Sequence, residues 1–201
     1  MKGEKEILDS EEGRWFLENI QKLQGELAKE LRVQLAVLDD QGEPVTESSA
    51  ESTIARLLKK SSSGRELYNR AYVRAGDLIT AHSDPVLIKV FDGLFSFWAP
   101  VATADGTIIG SAVGGGGPFV RGQADAESFE GQLTDFYQHS DLKEAGVEEE
   151  DVLNAVKGTP VFEPEVVKRK LAELGRTIGI LAEETELGLL FGRSAKKKAG
   201  K

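Results

Sequence analysis

Four consecutive glycines, Gly114 to Gly117, invite backbone chemistry, because successive N–H groups freed of side chains can wrap an anion. A Walker-type phosphate loop needs Lys and Ser or Thr after its last glycine. Here Pro118 and Phe119 follow, and Pro118 removes a donor. No glycine closes a GxGxxG at this point, so nucleotide binding is not expected. The run instead suits a strand that bends, or a backbone that a ligand or helix approaches closely. Asp135 and His139 stand four apart on an expected helix, the spacing two metal ligands would use. With no HExxH, no cysteine and His82 the only other imidazole, a surface ion pair or a histidine at a helix end is expected, and no metal. GxSxG is absent and no set of acid, base and nucleophile can be assembled. The expectation is therefore a protein that is not an enzyme and carries no cofactor.

Binding is better supported. In Phe95-Ser96-Phe97-Trp98, strand alternation sends Phe95, Phe97 and Ala99 to one face and Ser96, Trp98 and Pro100 to the other. The partner strand Gly110-Ser111-Ala112-Val113 opposes these large side chains with little volume, which leaves room for a small molecule. Phe95, Phe97, Trp98 and Ala112 are the candidate walls, with Tyr72 and His82 as polar contacts. The competing account is ordinary core, since aromatic residues on strands usually pack against helices.

The elements that must position these residues follow from periodicity and turn chemistry. Asp105-Gly106 between two apolar runs predicts a hairpin with strands from Leu94 to Ala102 and Thr107 to Val113. Val33 to Leu38, Asp39-Asp40-Gln41-Gly42 and Glu43 to Thr46 predict a second hairpin, and Val86 to Val90 another strand, about five in all. Trp15, Phe16, Ile20, Leu23, Leu27 and Leu31 fall on one stripe of a helix from Glu11 to Leu31, capped by Ser10. Shorter helices are expected at Ser52 to Lys60, Arg65 to Val73, Glu127 to His139 and Glu148 to Val156. A last helix from Pro164 to Phe191 carries Val167, Leu171, Leu174, Ile178, Leu181 and Leu190 on its apolar side.

Composition narrows the function. In 201 residues the formal charge is -9, with a pI near 4.9, which disfavours a nucleic-acid backbone as partner. The absence of cysteine removes disulfides and thiolate chemistry. No stretch reaches the roughly 18 apolar residues of a membrane span, and the N-terminus has no signal-peptide core. A cytoplasmic protein without nucleic-acid or membrane partners is expected. Residues 1–10 are expected to be disordered or partly ordered, 11–192 to form one domain including the terminal helices, and 193–201 to be a basic flexible tail around Lys196 to Lys198.

The order of motifs resembles the PocR sensory-domain family, a variant of the PAS fold found in bacterial small-molecule sensors. Val33-Gln34-Leu35-Ala36-Val37-Leu38, the Asp39 to Gly42 turn and Pro44-Val45-Thr46 look like the family's opening strand, turn and partner strand. Ser61 to Arg65, Asp92-Gly93-Leu94, Ala99-Pro100-Val101, Ile109-Gly110, Gly114-Gly115, Gly146-Val147 and Thr159-Pro160-Val161 follow in family order. Phe91-Asp92-Gly93-Leu94 stands where the family carries Cys-His-Ala-Gly-Leu, so any thiol or metal role is lost. The resemblance implies an α/β (α+β) fold with a PAS/GAF-like central antiparallel sheet, flanking helices and long terminal helices. It implies a stand-alone sensor that binds a small organic molecule and signals as a homodimer or through a partner protein. The alternative is an interaction or scaffold protein whose pocket is filled and whose long C-terminal helix binds a partner.

Overall fold

A computed structural model describes residues 10–40, 42–49, 51–67, 69–70, 84–91, 94–118, 123–157 and 162–185. Helix α1, Glu11–Leu31, begins where Ser10 Oγ accepts a hydrogen bond from Gly13 N at 3.0 Å. Phe16, Ile20, Ala28 and Leu31 are buried along it, whereas the neighbouring Trp15 is turned outward and 49% exposed. The helix stops at Arg32, held in the left-handed region with φ of 51°. Strand β1, Gln34–Asp39, and helix α2, Thr53–Leu58, come next, followed by a helical stretch at 62–67. Strands β2 (Val86–Phe91), β3 (Leu94–Ala102) and β4 (Ile108–Pro118) lead to helices α3 (Gln123–His139), α4 (Glu149–Lys157) and α5 (Pro164–Glu184).

The four strands pair antiparallel throughout in the order β1-β4-β3-β2. The β3–β4 hairpin turns where expected, with Gly106 at φ of 85° and Thr103 N donating to Thr107 O at 3.0 Å. The Thr103 hydroxyl and the Thr107 N–H hold the Asp105 carboxyl below the usual carboxylate range. Glu183 of α5 accepts from Ala104 N at 2.7 Å and ties the turn to that helix. Strand β4 continues through the glycines because side chains would not fit there. A Cβ on Gly114 would stand 1.9 Å from the Gln34 carbonyl oxygen, and one on Gly115 2.9 Å from Ser96 Cα. A neighbouring strand, rather than a phosphate, uses the bare backbone.

The second hairpin differs from the expected one. Residues 43–46 make a single isolated bridge, Leu38 to Pro44, so the described residues give a sheet of four strands instead of about five. Side chains replace the ladder. Thr46 Oγ1 accepts from Val37 N at 2.9 Å and Ser49 Oγ from Leu35 N at 2.8 Å, while Val45 N and Ser49 N return bonds to the Val37 and Leu35 carbonyls. The outer edge of β1 is thereby covered without a fifth strand.

Two apolar clusters flank this sheet. In the first, α1 and α5 pack Phe16, Ile20, Val167, Leu171 and Ile178 onto Leu35, Val37, Phe97, Ala99, Val101 and Ala112. Gly175 and Gly179 let α5 settle on β3, since a Cβ there would lie 2.1 Å from the Pro100 carbonyl oxygen and 1.8 Å from that of Ala102. The second cluster joins α2, α3 and α4 through Ile54, Leu58, Phe129, Leu133, Tyr137 and Val152. There the Tyr137 hydroxyl donates to the Val147 carbonyl at 2.8 Å.

Candidate functional site

The two faces of β3 have different fates. Phe95, Phe97 and Ala112 belong to the cluster under the terminal helices, with Phe97 and Ala112 fully buried. The volume left by the small residues of β4 is filled on that side by the protein's own helices. Trp98 projects the other way. Register sets Ser96 opposite Ile88 and Gly115, and Trp98 opposite Val86 and Val113, and Val113 in turn opposite Ala36. Helices α2 and α3 reach β4 and β2 on this side. Tyr72 and His82 lie outside the described residues.

Ser96 and Trp98 are 2% and 1% exposed, and each carries a buried polar atom that no described residue satisfies. Among the described residues, Ser96 Oγ and Trp98 Nε1 are the buried side-chain polar atoms without a hydrogen-bond partner. Such a group costs on the order of 1–3 kcal/mol, and folded proteins seldom keep two of them side by side. Residues two apart on a strand point the same way, so both atoms lie on one side of the sheet. Ala36, Ile88 and Trp98 are buried yet absent from both apolar clusters of the described residues. Gly115 keeps the flank of Ser96 clear, because a Cβ there would come within 2.9 Å of the hydroxyl.

The chemistry is set by the atoms. An indole N–H only donates, whereas a serine hydroxyl donates and accepts. The strand residues sharing this face, including Ala36, Ile88, Ser96, Trp98, Ser111 and Val113, carry no charge. An uncharged molecule with an oxygen acceptor would satisfy both atoms, whereas a buried ion would find no counter-charge on those strands. Ser96 was not among the residues picked from the sequence. Alternation places it beside Trp98, but its lack of a partner is a tertiary fact.

Elsewhere the polar groups are engaged or exposed. Asp135 and His139 form an exposed pair at 3.4 Å in the last turn of α3, and the ring Nδ1 lies 2.8 Å from the Asp135 carbonyl oxygen. No group of three or more metal-capable side chains occurs among the described residues. Asp141 accepts from Ser62 N at 2.8 Å and Ser63 N at 3.0 Å, which fastens the loop after α3 to the start of the 62–67 helix. These bonds hold its carboxyl well below the usual range. A depressed folded value means the stabilisation is present above the unfolded value of about 4 and is lost as pH falls through the folded one. Asp141→Asn is therefore expected to lower Tm at neutral pH, with the gap to the parent closing as pH drops below about 4. Thermal melts across that window check it, and a gap independent of pH would contradict the latch.

A protein-family model described as the sensory domain found in PocR matches residues 16–186. No curated protein and no solved structure matches the chain.

Proposed function

The chain belongs to the PocR sensory-domain family, and from that premise we propose that it senses a small, uncharged organic molecule bound against Ser96 and Trp98. The carrying observation is the pair of buried, unpartnered polar atoms on one face of β3. The bound molecule supplies an oxygen to Trp98 Nε1 and exchanges a hydrogen bond with Ser96 Oγ. The opposite face of the same strand carries Phe95, Phe97 and Ala99, packed beneath α1 and α5. A shift of β3 on binding is thus felt directly by the terminal helices, provided the ligand binds their two arrangements with different affinity.

The outer surfaces of α1 and α5 are the proposed output, through a second copy or a signalling partner. Trp15 on α1 and Ile180 on α5 are exposed large apolar side chains suited to such a contact. The apolar stripe of α5 is spent internally, with Val167, Leu171, Leu174 and Ile178 buried in its own core. That favours a sensor over a scaffold whose binding surface is this helix.

A thermal-shift screen of uncharged oxygen-bearing metabolites tests the site. A hit is expected to bind the parent and to lose about tenfold in affinity in Trp98→Phe, which keeps the ring and drops the N–H, and similarly in Ser96→Ala. Binding unchanged in both variants would overturn the assignment.

A further inference from the structure

A separate cleft of about 780 Å³ lies between α1, the 49–53 segment and α4, a volume typical of small-molecule sites. It is lined by none of the β3 residues that carry the Trp98 face.

Three features mark this cleft. Gly25 sits inside α1, where glycine is the poorest helix former after proline, yet a Cβ there would meet nothing within 4 Å. Unlike Gly175 and Gly179, it makes room for no part of the protein described here. Lys29 on one wall, and Asp151 and Asn154 on the other, are exposed side chains with no hydrogen bond or ion pair among the described residues. Asp151 and Asn154 are three apart on α4 and share a face of that helix. Arg32, on the same wall as Lys29, is the non-glycine residue with positive φ among the described residues. An arginine thus holds a conformation that glycine usually supplies at a helix end. Glu51, also at the cleft, is already neutralised by Lys59 at 2.7 Å.

We propose that this cleft is a second binding site, for a zwitterion of the amino-acid or short-peptide class. The carboxylate of the ligand meets Lys29, its ammonium meets Asp151 with the Asn154 amide beside it, and its backbone lies over the bare Gly25. Opposed charges on facing walls select a molecule that carries both, and disfavour a simple anion or cation, which would leave one wall unmatched.

Calorimetric titration of the full chain with the free amino acids and a set of zwitterionic di- and tripeptides tests the site, with N-acetylated and C-amidated forms of each binder as controls. Binding of a zwitterion is expected, with about tenfold loss on blocking either end. Lys29→Gln should weaken the free-carboxylate form and leave the amide unaffected, and Asp151→Asn should do the same for the free amine. Gly25→Leu should abolish binding while Tm holds or rises, because the helix gains and a Cβ there meets no protein atom within 4 Å. Trp98→Phe should leave this binding intact, which separates the cleft from the site on β3. No binding across the set at millimolar concentration, equal binding by blocked forms, or indifference to all three cleft substitutions would overturn the proposal.

Discussion

Gln24→Leu is expected to cost about 2 kcal/mol and to lower Tm by roughly 6 °C, although leucine suits a buried helix position better than glutamine by hydrophobicity alone. Gln24 is fully buried and joins three pieces of chain. Its Nε2 donates to the Leu35 carbonyl at 2.7 Å and to the Glu47 carbonyl at 2.8 Å, and its Oε1 accepts from the Thr46 hydroxyl. Leucine would keep the volume but take one of two donors from the Leu35 carbonyl, which keeps Ser49 N, and from the Glu47 carbonyl, which keeps Gln21 Nε2. It would also leave the buried Thr46 hydroxyl without its acceptor, a loss of about 1–3 kcal/mol. Gln24→Glu should be little better, since a carboxylate cannot donate to the carbonyls. The effect should extend beyond Tm. Residues 46–49 cover the edge of β1, and loosening them exposes a strand edge, so the variant should also aggregate on heating. Chemical denaturation with light scattering checks both, and a loss under about 1 kcal/mol would show the network to be dispensable.

Gly179→Ala should destabilise by about 2 kcal/mol, against the helix-propensity gain of about 1 kcal/mol that alanine brings inside a helix. The packing wins because the new methyl would stand 1.8 Å from the Ala102 carbonyl oxygen, which is backbone and cannot rotate away. Relief requires α5 to lift off β3. Gly175→Ala makes the same demand one turn earlier, at the Pro100 carbonyl, so the double variant should cost less than the sum of the two singles. Equilibrium unfolding of all three checks this, and strict additivity would indicate two local adjustments instead of one displacement of the helix. The same variants bear on signalling, since β3 presents Trp98 to one side and α5 to the other.

Much of this architecture can be read from residue types. The spacing from Phe16 to Leu31 and the cap at Ser10 mark α1 to its ends, Asp105-Gly106 marks the hairpin, and Pro164 marks the start of α5. The fate of residues 43–49 was not legible, because Thr46 and Ser49 read as strand or loop formers until their hydroxyls are found bonded to the β1 amides. The site was half legible. Alternation separates Trp98 from Phe97, but both faces of β3 are apolar, so only tertiary packing tells that the Phe97 side belongs to the terminal helices. The weight carried by Gly175 and Gly179 was equally hidden, since a glycine inside a helical pattern looks like a weakness until the strand carbonyl beneath it is seen.

Trp98 and Trp15 are the two tryptophans of the chain, one buried and one half exposed, so the ¹H–¹⁵N spectrum holds two distinguishable indole signals, with Trp98 the reporter of the site. Titration with uncharged oxygen-bearing metabolites should move the Trp98 Nε1 proton downfield, as a hydrogen bond forms where none existed. A bound metabolite that leaves the Trp98 signal unmoved would contradict a ligand site on this face of β3.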